Sequence, residues 1–104
     1  MTKHIYRVEH KGNIYTRTTN RIYAYVVIAE NNRDRERSNM ITTYEDENIV
    51  NQIMQKRDSQ GMYGKQYAFA WCGRLDLAAK QADNARKHGM LNIEVLTILP
   101  QDGK

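Results

Sequence analysis

A single cysteine, Cys72, and a single proline, Pro100, set the first limits on this chain of 104 residues. One thiol excludes an internal disulfide framework and fits a reducing compartment. Phenylalanine and tryptophan are as scarce, one of each, against seven tyrosines, so the aromatic character is almost entirely hydroxylated. Long apolar runs are missing too. The longest, Tyr23–Ala29, falls far short of the ~20 residues a membrane-spanning helix requires. Met-Thr-Lys-His at the start lacks the apolar stretch of a signal peptide. A cytoplasmic protein with no membrane partner is the expectation. The length allows one domain, 1–104, and a composition 40% hydrophobic and 27% charged is that of a folded chain.

Catalytic and metal signatures are also lacking. No Walker motif, Gly-x-Gly-x-x-Gly or Gly-x-Ser-x-Gly occurs. His4 and His10 share a strand parity but lie about 20 Å apart by strand rise, too far for a common metal. "GMYGK" (Gly61–Lys65) is phosphate-loop-like in composition, yet it precedes a strand instead of opening a helix and reads as a connector. Cys72, beside Gly73 and Arg74, reads as a small buried hydrophobe. The expectation is no cofactor, no metal and no catalytic residue.

What is present is charge with a marked bias. Five basic residues stand against one acidic residue between Met1 and Ala29, and eleven of each sign follow. The net +4 therefore belongs to the opening segment, which points to an anionic partner.

That segment alternates as strands. His4–His10 and Asn13–Thr18 flank a Lys11-Gly12 hairpin turn, and Thr19-Asn20-Arg21 leads into Ile22–Ala29, apolar on both parities and so central in a sheet. Asn31–Asn39, polar and alternately charged, reads as a solvated loop. Thr42-x-x-Glu45 resembles a capping box opening a helix from about Thr43 to Asp58. Gln66–Cys72 is a fourth strand; Leu75, Ala78, Ala82 and Ala85 stripe a second helix stopped at Gly89; Asn92–Leu99 is a fifth strand. The expected fold is α+β: a five-stranded mixed sheet in the order βββαβαβ, its last strands parallel, with two helices mainly on one face.

A two-residue first turn and a three-residue second one place Tyr6, Arg17 and Tyr23 in one row and Val8, Tyr15 and Tyr25 in the next. Ile5, Ile14, Ile22, Ala24, Val26 and Ile28 then form the opposite, helix-bearing face. The candidate binding residues are Tyr6, Tyr15, Arg17, Arg21, Tyr23 and Tyr25 on this sheet, with Arg33, Arg35 and Arg37 from "NRDRER". Tyrosine and arginine are enriched at interface hot spots, and aromatic rings on a sheet stack bases. The same face equally suits a homodimer contact, and the plainer alternative is that its tyrosines are covered.

"TRTTNRIYAYVVIA" (Thr16–Ala29) together with "WCGRLDLAAKQA" (Trp71–Ala82), about a quarter of the chain, resembles small uncharacterised proteins encoded by bacteriophages and plasmids. The resemblance implies action by binding, with host defence or transcription machinery, or nucleic acid, as the target. The leading expectation is a non-catalytic protein that binds a host protein or protein–nucleic-acid complex and inhibits a nucleic-acid-directed defence system. A single-stranded RNA- or DNA-binding protein using the Tyr/Arg face is the alternative, and a small metal-independent ribonuclease the third reading.

Overall fold

The computed structural model describes residues 3–100. Its elements are β1 (His4–His10), β2 (Asn13–Thr19), β3 (Tyr25–Glu30), α1 (Arg33–Tyr44), α2 (Glu47–Ser59), β4 (Gln66–Cys72), α3 (Leu75–Lys87) and β5 (Leu91–Thr97). The class is α+β, as expected, but the five strands form two antiparallel sheets, β1-β2 and β4-β3-β5.

The first turn behaves as its residues require. Lys11 (φ 51°) and Gly12 (φ 79°) both take left-handed conformations, which twist a two-residue turn to match its strands. The register is the anticipated one: His10 faces Asn13, Val8 faces Tyr15 and Tyr6 faces Arg17. The second connection departs from expectation. β3 begins only at Tyr25 and does not pair with β2, because the backbone of the intervening stretch finds side-chain partners instead. The Tyr6 hydroxyl donates to the Arg21 carbonyl (3.2 Å) and accepts the Tyr23 N–H (2.8 Å), while Thr19 Oγ1 accepts the Arg21 N–H (3.2 Å). The chain leaves the hairpin plane, and the hairpin folds over the other strands.

β3 is central, as its apolar run demands, with β4 and β5 on its two edges. Val26, Val27, Ile28 and Ala29 are all buried. Complete burial of a side chain such as Val or Ile contributes about 1.5–3 kcal/mol, so this strand needs cover on both faces. On one face Tyr6 and Tyr15 pack with Val26, Ile28 and Ile98; on the other, Val27 and Cys72 pack against Ala78 and Ala82 of α3. One face is therefore covered by the hairpin and one by a helix, where helices on a single face were expected. β4 and β5, each antiparallel to β3, run in the same direction, so α3 crosses over β3 between strands that are not neighbours.

The segment read as a polar loop over 31–39 is largely the first two turns of α1. Asn32 caps it by accepting the Arg35 N–H (3.2 Å). Arg33, Glu36 and Arg37 fall at i, i+3 and i+4, so the alternating charges gather on one side and meet α2. Arg33 binds Asp58 with two hydrogen bonds (2.9 and 2.8 Å), Arg57 reaches Glu36 (3.2 Å), and Arg37 reaches Glu47 (3.3 Å) and Asn51 (3.2 Å). The Thr42–Glu45 capping box does not form. Thr42 and Thr43 donate back to the carbonyls of Ser38 and Asn39 within α1, Glu45 ends that helix at φ 55°, and Asp46 caps α2. α1 and α2 pack chiefly on each other, and α2 buries Val50 and Met54. Among the described residues, no helix is long and apolar enough to cross a membrane.

Candidate functional site

The open tyrosine face does not exist. Tyr6 is fully buried and Tyr15 is 6% exposed, while Ile5 and Ile14, expected beneath helices, are 48% and 51% exposed. Large rings fill the wide gap between two stacked sheets, and their hydroxyls still reach backbone partners. Tyr15 donates to the Gln66 carbonyl (3.1 Å), and burial, opposed by a hydrogen bond from Asn13, pushes its phenol up. Tyr25 is half-buried on the α3 side and pairs with Cys72 and Thr97, so it never meets Tyr15.

Part of the expected constellation survives by another route. Tyr23, half-buried, lies edge-on to Tyr6 (5.8 Å between centroids) and 6.4 Å from Trp71, and the Arg17 guanidinium stands 5.4 Å from the Tyr23 ring centroid. An exposed cation–π contact of this kind contributes about 0.5–1 kcal/mol. Arg21 joins the same corner through its carbonyl. Tyr6, Arg17, Arg21 and Tyr23 are thus brought together, with Trp71 added.

The arginines of α1 are elsewhere and differently occupied. Arg33 and Arg37 are held by Asp58 and by Glu47 with Asn51, and the Arg35 side chain lies against Gly89. By contrast, Arg7, Arg17 and Arg21 have no carboxylate partner among the described residues. Arg17 and Arg21 thus leave unneutralised positive charge at this end of the hairpin, whereas Lys11 is paired with Glu94 and two of the three arginines of "NRDRER" are neutralised by α2.

A second site, which sequence reasoning missed, sits at the other end of the hairpin. Glu94 of β5 receives three donors on one oxygen: Gln66 Nε2 (2.7 Å), Lys11 Nζ (3.0 Å) and His10 Nε2 (3.2 Å). The Gln66 amide first, then Lys11 and His10, hold its carboxyl down to about 2. A carboxylate so occupied is a poor base near neutral pH, and the three contacts clasp the hairpin to β5. Gln66 Nε2 also donates to the Asn92 carbonyl (2.6 Å), and Asn92 Nδ2 donates to Glu30 Oε1 (3.3 Å). Asn92 sits at φ 49°, where the β3–β5 register shifts between Ile28 and Glu30.

Beside the clasp opens a cleft of about 270 Å³ lined by Lys11, Asn13, Glu30, Gly64, Lys65, Gln66 and Asn92. A second hollow of about 190 Å³ shares Asn13, Lys65 and Gln66 and adds Ile14, Tyr15, Tyr67 and Ala68. Lys65 Nζ lies 5.2 Å from the Tyr67 ring centroid. "GMYGK" is a connector, as expected, but its lysine lines the cleft. The available signal was the pairing of Lys with Gly at two separate turns, Lys11-Gly12 and Gly64-Lys65. Cys72 is buried and its thiol pushed up by that burial. Among the described residues no three potential ligands cluster to hold a metal.

No family model matches the chain, and comparison with curated proteins and with solved structures finds no match.

Proposed function

We propose that this chain is a small non-catalytic binding protein, of the kind bacteriophages and plasmids carry, which engages a host protein–nucleic-acid complex and inhibits a nucleic-acid-directed defence system. One observation carries the reading. Arg17 stands without an acidic partner over the half-buried Tyr23, next to Trp71, and Arg21, also without one, is anchored at the same corner by its carbonyl, while Arg33, Arg37 and Arg57 are neutralised by Asp58, Glu47 and Glu36. Unpaired arginines next to aromatic rings match the chemistry of phosphate and base contact. The test is a pull-down from bacterial host lysate with the wild-type chain and an Arg17→Ala/Arg21→Ala variant. The reading expects a stoichiometric partner retained by the first and lost by the second; equal retention by both, or no partner in mild salt, overturns it.

Direct binding of single-stranded RNA or DNA is the second reading, favoured by Arg17 over the Tyr23 ring with Trp71 tilted beside it in one corner. It requires retention of an oligonucleotide at low salt and a salt slope that shrinks by about one for each phosphate-contacting arginine removed. An oligonucleotide that passes through unretained at low salt rejects it.

A further inference from the structure

The cleft beside Glu94 has a lining that no single simple ion satisfies. Lys65 brings an ammonium group with no carboxylate partner among the described residues. Lys11 also lines it, tethered to Glu94. These two favour an anion. Yet the same volume presents acceptors. Among the described residues the Glu30 carboxylate takes only the Asn92 amide. Both hydrogens of Gln66 Nε2 are engaged, by the Asn92 carbonyl and by Glu94, which fixes the amide plane. Its oxygen has no donor among the described residues, although Gln66 is only 7% exposed. A buried acceptor of this kind calls for a hydroxyl or N–H from whatever fills the space.

The adjoining hollow differs in character. Ile14, Ala68 and the Tyr67 ring supply an apolar and aromatic wall, joined to the polar cleft through Asn13, Lys65 and Gln66. The Tyr67 hydroxyl donates to the Gly61 carbonyl (3.3 Å), which holds the ring in place. Lys65 over that ring is an exposed cation–π contact, weaker than the stacking of a base on the same face. A planar ring entering the hollow displaces the ammonium toward the polar cleft, where an anion would meet it.

We infer that these joined hollows are a ribonucleotide site, taking a 5′-phosphorylated ribonucleoside either free or as a unit of an RNA chain. Lys65, with Lys11 at the rim, faces the phosphate; Glu30 and the Gln66 oxygen accept the ribose hydroxyls; the base lies on Tyr67 against Ile14 and Ala68. A bare phosphate leaves the two acceptors opposed to it, and an amino acid leaves the aromatic wall empty. The backbone around the site is fixed by left-handed residues on three separate turns, Lys11, Gly64 and Asn92, so the lining is preorganised. The site is independent of the Arg17 corner, at the opposite end of β2.

The experiment titrates the full chain with AMP, then with 2′-deoxy-AMP and a short oligoadenylate, following the side-chain amide resonances of Asn13, Gln66 and Asn92. Saturable shifts of these resonances with millimolar AMP are expected, weakened about tenfold by loss of the 2′-hydroxyl and by about tenfold or more in Lys65→Ala. Lys65 is exposed, so this variant keeps its fold. Arg17→Ala leaves AMP binding unchanged, which separates this site from the surface proposed above. Oligoadenylate binding no tighter than AMP assigns the site to free nucleotide, and tighter binding assigns it to a chain. Absence of saturable shifts, or equal affinity of wild type and Lys65→Ala for AMP, overturns the inference.

Discussion

The Tyr6 hydroxyl accepts the backbone N–H of Tyr23 at 2.8 Å, two residues before β3 begins. That contact, with the bond to the Arg21 carbonyl, takes the place of the strand ladder that β2 and β3 would have shared. Tyr6→Phe keeps the ring in the core but leaves the Tyr23 N–H without its acceptor, and should destabilise the fold by about 1–3 kcal/mol. Tyr15→Phe removes only a donor to a carbonyl that has other lone-pair capacity, and should cost less, about 0.5–1.5 kcal/mol. Urea unfolding of both variants checks the ordering; a larger loss in Tyr15→Phe contradicts the role given to Tyr6.

The same contact explains what was legible in the sequence. Local rules succeed where neighbouring residues decide the outcome. Lys11-Gly12 sets the hairpin register, Gln66–Cys72 is a strand to the residue, and Ala78, Ala82 and Ala85 form the buried stripe of α3, although Leu75, expected on the same stripe, is 60% exposed. Val26–Ala29 announces burial on both faces. What covers those faces is a tertiary matter, and alternation alone does not distinguish a tyrosine face turned to solvent from one turned to a second sheet. Tyr6 and Tyr15 turn inward because the Arg21 and Gln66 carbonyls lie within reach of their hydroxyls, and both partners are remote in sequence.

The helix in place of the Asn31–Asn39 loop has a similar cause. α1 holds no buried residue, so its pattern carries no apolar periodicity. Its stability comes from partners on α2 that only the folded chain supplies. The Glu94 clasp is hidden for the same reason, since Lys11, Gln66 and Glu94 are far apart along the chain.

Glu94 makes acid stability a direct test of the clasp. Its carboxyl, held at about 2, is ionised in the native state where the unfolded chain, near 4.5, already takes up a proton. The unfolded state therefore binds more protons as pH falls, and the stability contributed by the clasp, complete above about 4.5, is lost progressively toward about 2. Melting temperatures across this range should fall more steeply in wild type than in Glu94→Gln. Parallel curves for the two proteins would falsify the assignment.

Gly89 follows α3 at φ 76°, with the Arg35 side chain occupying the space a β-carbon needs. Gly89→Ala incurs the left-handed penalty of about 1–2 kcal/mol and also displaces Arg35. Arg35→Ala relieves the second effect only. In a double-mutant cycle measured by chemical denaturation, the combined variant should be more stable than the sum of the two single changes predicts. Simple additivity shows that the two residues do not compete for that space.

The α1–α2 pair is joined by ion pairs that span α2 from Glu47 to Asp58, and α2 buries Val50 and Met54; these should contribute very unequally. Arg33 and Asp58 are each close to half exposed, at 42% and 44% of their side-chain surface, where water and salt screen the pair. Arg33→Ala should change stability by no more than about 1 kcal/mol, and less in high salt. Met54 is 2% exposed, and Met54→Ala removes buried volume that neighbouring side chains only partly refill, a loss of about 2–5 kcal/mol. Helices of this length are marginal in water without a packed face, so the apolar contact decides whether α1 and α2 persist and the ion pairs decide how they are aligned. Hydrogen exchange reads the difference locally: in Met54→Ala the amides of both helices should lose protection together, while in Arg33→Ala they should stay protected. Equal loss of protection in the two variants would show that the charged contacts, and not the buried pair, hold the helices together.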